Sequence, residues 1–321
     1  MEIFLWSVAL VLGFTLLWKG GDYVIDASSD IANRLELPPI IVGMTLLAFG
    51  TSLPELFVNI TALFNNNDTI IFGNIIGSNI SNTWLILGTA AILTPITIHR
   101  DIIYKNLLLN VLAVFVLILC LFPKLAVWNT VAGLSQTNGF ILLGLFLLSL
   151  NAIKKIMSGA EESVEKSTVT TSPLKLSLSF GLGLLALLGG ARLVYDASLF
   201  LATAMGFSQA FISLFMIAIG TSLPELITTV IAASRHQSGL LLGNIIGSNI
   251  FNIFLILGVC ATLKPLEFDP LMKIDLYILL LSALSLLGLS ILPKYHTFSR
   301  YKGIVLILCY GLYISFIYLR G

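Results

Sequence analysis

TLLAFGTSLPEL at 45–56, followed by GNIIGSNISN at 73–82, returns later in the chain as FMIAIGTSLPEL at 215–226 and GNIIGSNIFN at 243–252. The offset is 170 residues for both pieces, and LILG at 85–88 and 255–258 keeps it. Asp26-Ala27-Ser28 and Asp196-Ala197-Ser198 extend the match upstream. A long self-similarity at one fixed offset is the mark of a duplicated unit. The repeated residues are mostly polar, so the duplication preserves more than apolar packing.

The solvent for this unit follows from composition. Of 321 residues, 57% are hydrophobic and 10% charged, against roughly 25% charged in an ordinary soluble domain. Lipid fits such a chain, and a spanning helix needs about 20 mostly apolar residues. Ten such spans are predicted, near 3–31, 39–63, 70–93, 104–122, 127–152, 174–204, 208–233, 240–263, 273–292 and 300–319. The start of the chain lacks a basic n-region and an A-x-A-like site, so residues 3–18 read as a retained first span. The longest polar stretch, 154–173, divides the chain into a first five-span repeat over 1–153 and a second over 174–321. The matched motifs occupy 45–88 and 215–258. Five is odd, so the second copy enters the membrane from the opposite side. The fold class expected is an all-α membrane protein of ten transmembrane helices in two inverted five-helix repeats, the plan of many secondary transporters.

Lys and Arg set the orientation. With the N-terminus outside, eleven basic residues fall in cytoplasmic connections, among them Arg34, Arg100, Lys154, Lys155, Arg235 and Arg300. Four fall outside: Lys124, Lys264, Lys273 and Arg320. Both termini are therefore expected to be external. A net charge of +1 gives no reason to look for nucleic acid. Cys120, Cys260 and Cys309 lie in apolar stretches and read as packing residues. His99, His236 and His296 fall in connections and read as solvated. No catalytic triad, nucleotide loop or CxxC is present, so neither an enzyme nor a bound cofactor is expected.

The chemistry concentrates at mid-membrane. Thr51, Ser52 and Glu55 lie near the middle of span 2, and Thr221, Ser222 and Glu225 at the matching depth of span 7. Spans 3 and 8 add Ser78, Asn82, Ser248 and Asn252. A carboxylate at this depth costs roughly 2.5–3.5 kcal/mol on insertion scales. No Lys or Arg lies within spans 2, 3, 7 or 8 to offset two of them. A cation or a proton is then the partner; permanently protonated, hydrogen-bonded glutamic acids are the bland alternative. Thr51 and Glu55, four apart, share a helix face, as do Ser78 and Asn82 and their repeat equivalents. Pro54 and Pro224 lack an N–H and crowd the carbonyl four residues back. They are expected to free main-chain carbonyls near 48–51 and 218–221. The donor set is all oxygen, as hard cations such as Ca²⁺ prefer. Glycines at 73, 77, 243 and 247 have GxxxG spacing and are expected to bring span 3 against span 2, and span 8 against span 7. Asp26 and Asp196 read as solvated carboxylates near the interface.

These two copies resemble the α-repeats of the calcium/cation antiporter superfamily, whose best-known branch is the sodium/calcium exchangers, here of the prokaryotic type with a short central loop. The resemblance covers nearly the whole chain. It implies that Glu55 and Glu225 are central ligands shared by Ca²⁺ and Na⁺. It also implies oxygens from Thr51, Ser52, Ser78, Thr221, Ser222 and Ser248, and main-chain carbonyls from Ala48 and Ala218. Spans 1 and 6 resemble the pair that slides across the core to alternate access. Some members carry Asp where this chain has Asn252, and Asn82 fills the matching place. With two carboxylates rather than three, K⁺ dependence is not expected. The transported ions expected are Ca²⁺ and Na⁺ in a prokaryotic inner membrane; Ca²⁺/H⁺ exchange is the second reading. A channel fits less well, because it would need no alternating gate, and so does an intramembrane hydrolase, because symmetric polar groups do not distinguish an acid from a base.

Overall fold

The computed structural model describes residues 2–97, 100–122, 133–157, 171–205, 220–291 and 297–320. Eleven helices account for most of them. The first repeat holds α1 (Glu2–Arg34), α2 (Pro39–Thr51), α3 (Leu53–Phe64), α4 (Asp68–Leu93), α5 (Arg100–Leu121) and α6 (Gln136–Met157). The second holds α7 (Pro173–Ala204), α8 (Leu223–Ser234), α9 (Ser238–Leu263), α10 (Lys273–Ile291) and α11 (Arg300–Arg320). Six of these are long and apolar enough to cross a bilayer, and α2 with α3 forms a seventh, bent crossing. Three shorter apolar helices, within α5, α6 and α8, fall at the other expected places. The run leading into α8, and with it most of the first half of span 7, lies outside the described residues.

Local signals set the helix ends. Asn67 caps α4, its side chain accepting from the Ile70 N–H at 3.2 Å. Ser172 caps α7 ahead of Pro173 at the first helical position, where a missing N–H costs nothing. The α3–α4 and α8–α9 turns are built alike. Asn66 (φ 55°) and His236 (φ 57°) stand 170 residues apart, and both are left-handed. Each closes the preceding helix by turning the next N–H back, Asn67 to Ala62 O at 2.9 Å and Gln237 to Ala232 O at 2.8 Å, a Schellman-type ending.

Packing shows the inversion directly. A Cβ on Gly13 would lie 3.1 Å from Gly190 O, and one on Gly20 2.7 Å from Gly183 O. Early residues of α1 thus meet late residues of α7, so the two helices run antiparallel. Gly183 and Gly190 are also the repeat equivalents of Gly13 and Gly20. Exchanging the repeats maps this contact onto itself, as a two-fold axis in the membrane plane requires. The short strands repeat the relation: β1 (Ile96–Thr97) pairs with β4 (Thr297–Phe298), and β2 (Gly133–Leu134) with β3 (Leu266–Glu267). The last helix of each repeat also crosses over, α11 packing on α4 where Gly88 meets Gly303, and α6 on α9 where Gly258 meets Leu143.

Burial runs inside out. α4 and α9 are covered along most of their length, whereas α1, α7, α10 and α11 present most of theirs outward. Phe4, Leu185, Leu312 and Leu319 are exposed, and Thr51, Asn59, Thr228 and Asn244 are fully buried. A lipid-facing apolar surface leaves the interior as the place where polar groups can pair.

Several expectations change. Span 2 is two helices, bent by 44° at Ser52. Among the described residues, Gly243 and Gly247 close on span 2 rather than on span 7. Their Cβ positions fall 2.3 Å from Ile40 O and 2.6 Å from Met44 O, so α9 packs on α2 of the other repeat. Asp26 is exposed but ion-paired with Arg235, which also binds Asp22 at 2.6 Å; Asp196 pairs with Arg192 at 2.8 Å. His99 and His296 lie outside the described residues.

Candidate cation-binding site

The site begins where α2 stops and where α8 starts. Ser52 (φ −84°, ψ 7°) and Ser222 (φ −89°, ψ 8°) leave helical geometry in the same way. Pro54 and Pro224 then sit in the first turn of the following helix, where proline is tolerated. The break therefore precedes the proline. The Ala48 carbonyl stays engaged, accepting from the Ser52 N–H at 3.0 Å, with Thr51 Oγ1 3.4 Å away. The expected release of carbonyls thus does not extend to Ala48 in this conformation; Ala218 lies outside the described residues.

Restarting the helices places Glu55 and Glu225 in the first turns of α3 and α8, the positive end of the helix dipole. Both glutamates are 1% exposed. Partners come from both repeats. Ser52 Oγ donates to Glu225 Oε1 at 3.2 Å, and Ser248 Oγ reaches the same oxygen at 3.5 Å. Ser78 and Thr221 lie against the Glu55 carboxyl. Each carboxylate is thus shared between the halves. The second oxygens, Glu55 Oε2 and Glu225 Oε2, have no hydrogen-bond partner among the described residues, nor does Ser222 Oγ. The described ion pairs lie toward helix ends and include neither glutamate.

Asn82 and Asn252 sit at the start of two wide-turn segments, Ser81–Ile86 in α4 and Phe251–Ile256 in α9. Asn82 Nδ2 donates to Asn249 Oδ1 at 3.1 Å, and Asn252 Nδ2 to Asn79 Oδ1 at 3.3 Å. These are the same contact viewed from the two repeats. With both amide nitrogens committed, Asn82 Oδ1 and Asn252 Oδ1 are left buried without partners. Buried polar atoms are nearly always paired, so an inner cluster of lone oxygens is what a cation would use. Among the described residues no group of three or more His, Cys, Asp and Glu could hold a metal. The candidate set is two carboxylates with neutral oxygens, which suits a hard cation.

A layer behind these oxygens escaped the sequence reading. Thr51 Oγ1 donates to Asn244 Oδ1 at 3.1 Å, and Thr221 Oγ1 to Asn74 Oδ1 at 3.2 Å. Asn244 Nδ2 continues to Thr228 Oγ1 at 3.1 Å, and Asn249 Nδ2 to Thr83 Oγ1 at 3.2 Å. Asn59 Nδ2 donates to the Glu55 carbonyl at 2.6 Å. The signal existed: Asn74, Asn79, Asn244 and Asn249 all belong to the duplicated GNIIGSNI.

Comparison with known proteins agrees with this picture. The family described as "Sodium/calcium exchanger protein" matches residues 5–153 and 175–319. The sodium/calcium exchanger MaX1 of Methanosarcina acetivorans is 30% identical over 94% of this chain and 95% of its own. The inner membrane protein YrbG of Escherichia coli (strain K12) is 34% identical over 83% of this chain and 82% of its own. The solved structure of the sodium-calcium exchanger NCX_Mj superposes with a TM-score of 0.82 at 31% identity, covering 98% of this chain and 99% of that one.

Proposed function

We propose that this chain, which belongs to the sodium/calcium exchanger protein family, exchanges Ca²⁺ for Na⁺ across a membrane by alternating access at a site centred on Glu55 and Glu225. The observation that carries the reading is the pair of buried carboxylates, each facing hydroxyls of both repeats. Beside them are the oxygens of Thr51, Ser52, Ser78, Thr221 and Ser248, and Ser222 is the expected counterpart of Ser52. Asn82 and Asn252 add amide oxygens, and Ala48 and Ala218 are the expected main-chain donors. The Ala48 carbonyl accepts the Ser52 N–H, and its second lone pair is available to a cation when the single Thr51 proton points to Asn244.

Charge decides the stoichiometry this site favours. One Ca²⁺ or two Na⁺ neutralise the glutamates, and a third Na⁺ leaves one positive charge and makes exchange sensitive to voltage. Amide and hydroxyl oxygens coordinate Na⁺ but do not take up protons near neutral pH. Ca²⁺/H⁺ exchange is the second reading, favoured by one observation: two buried like charges repel, and protonation also relieves that. Alternation is assigned to the α1–α7 pair, which lies outside the covered α4–α9 centre and meets α8 and α2 at small residues such as Gly21, against Ile231, and Gly50, against Leu184. The working units are 1–153 and 174–321, joined by 154–173, with both termini external and the protein in a prokaryotic inner membrane; a monomer contains the whole site.

Counterflow in proteoliposomes tests the reading, with Na⁺, K⁺ and pH gradients imposed separately. An inward Na⁺ gradient is expected to drive Ca²⁺ out at fixed pH, with K⁺ unable to replace it. Ca²⁺ movement driven by a pH gradient without Na⁺, and unchanged when Na⁺ is restored, overturns it in favour of protons.

A further inference from the structure

The two halves of the site are not equivalent, and the difference lies one layer behind the proposed ligands. A hydroxyl has one proton to donate and lone pairs to accept with. Thr51 coordinates a cation only if its proton points away from the site. Asn244 provides that direction, its Oδ1 accepting from Thr51 Oγ1 at 3.1 Å. The amide is itself held, because Asn244 Nδ2 donates to Thr228 Oγ1 at 3.1 Å, and Thr228 donates its own proton to Pro224 O at 2.7 Å. Turning this amide over would require Thr228 to abandon the Pro224 carbonyl. Four groups thus form one directed chain from Thr51 to the main chain of α8, and Thr51, Asn244 and Thr228 are all fully buried.

The other half lacks the last links. Asn74 Oδ1 accepts from Thr221 Oγ1 at 3.2 Å, but the repeat equivalent of Thr228 is Val58. Valine offers no hydroxyl, and Asn74 Nδ2 is buried with no partner among the described residues. A turned Asn74 would present Nδ2 to Thr221 and free the threonine proton to point into the site, whereas Thr51, which lies against Glu225 as Thr221 lies against Glu55, keeps its proton on Asn244. Thr221 can therefore act as acceptor or as donor, while Thr51 is held as an acceptor.

We propose that Asn244 and Asn74 are positioning residues that set the hydrogen-bond polarity of Thr51 and Thr221, fixed through Thr228 in one half and reversible in the other because Val58 stands in its place. The Thr51 half is then the permanent half-site, and the Thr221 half adapts between loaded and empty states. This rests on the exchange reading for its cargo but not for its geometry, and the tests separate the two.

Thr228→Val removes the link at nearly constant volume. Losing one net hydrogen bond's worth of preorganisation is expected to raise the KM for Ca²⁺ by about 2- to 10-fold, with maximal flux little changed and Thr228→Ser restoring the wild-type value. Val58→Thr supplies the missing link and is expected to lower KM and slow turnover. Unchanged KM in Thr228→Val, or failure of Thr228→Ser to restore it, overturns the proposal. A double-substitution cycle on thermal stability, measured without Ca²⁺ or Na⁺, reads the chain whatever the cargo. Thr228→Val and Thr51→Val should be non-additive, and Thr228→Val and Thr221→Val additive. Additivity in both cycles overturns the relay. A wild type that carries no Ca²⁺ in the flux assay rejects the exchange reading and leaves this cycle as the arbiter of the relay.

Discussion

Adjacent glycines on α7 give a stringent test of the inverted packing. Gly190 faces α1, and a Cβ there would lie 2.7 Å from Leu17 N, 2.8 Å from Gly13 O and 3.0 Å from Leu16 Cβ. The first two are backbone atoms and cannot rotate aside. Reaching 3.4 Å, the near edge of ordinary contact, requires the helices to part by roughly 0.6–0.7 Å, and a gap of that order forfeits about a quarter to a half of each affected dispersion contact. Gly190→Ala is therefore expected to cost about 1–3 kcal/mol, the usual range for overpacking. Gly189 points outward, with nothing within 4 Å of its Cβ position among the described residues. There alanine should be neutral or gain up to about 1 kcal/mol from helix propensity. The two neighbours should thus separate by about 1–4 kcal/mol in thermal unfolding of the detergent-purified protein, followed by tryptophan fluorescence. Gly183→Ala should resemble Gly190→Ala, because its Cβ would lie 2.8 Å from Tyr23 Cβ and 3.0 Å from Gly20 O. Equal stability of Gly189→Ala and Gly190→Ala would refute the close antiparallel contact.

Three other outcomes follow from particular residues. His236→Gly should raise the unfolding temperature, since a left-handed non-glycine residue carries roughly 1–2 kcal/mol of strain; Asn66→Gly should gain less, because asparagine tolerates that conformation. Arg320→Ala should destabilise more than Asp275→Asn in the same melt: Arg320 Nη1 binds Asp275 Oδ2 at 2.7 Å, the Asp275 side chain is 3% exposed, and removing the cation strands a buried carboxylate. Single-cysteine labelling in intact cells should find 156–170 protected and 65–68 reactive; an externally reactive 156–170 rejects the orientation.

Polar residues made the repeat legible. Glu55, Thr51, Ser52 and their equivalents are costly at mid-membrane, so finding them twice at one offset identified the fold class and pointed to a candidate site. Which helices touch was not legible in the same way. Gly243 and Gly247 advertise a close contact, but spacing within a helix cannot name the partner, and the partner is α2 of the other repeat. The proline signal located a break in span 2 but not its form, because a proline in a new first turn is accommodated rather than disruptive. Thr228 was hidden by the very comparison that exposed the rest: matching the copies selects what is shared, whereas Thr228 matters where the copies differ. Asp26 and Arg235 meet across 209 residues, beyond the reach of any local pattern.

Glu55 and Glu225, one from each repeat, are proposed to form a single cation site. The direct measurement is Na⁺-dependent ⁴⁵Ca²⁺ flux in proteoliposomes for Glu55→Gln and Glu225→Gln, each shown by size exclusion and thermal unfolding to be folded. The substitution keeps the shape and removes one charge, so either variant should lose Ca²⁺ flux almost entirely. Wild-type flux in either folded variant would contradict the claim.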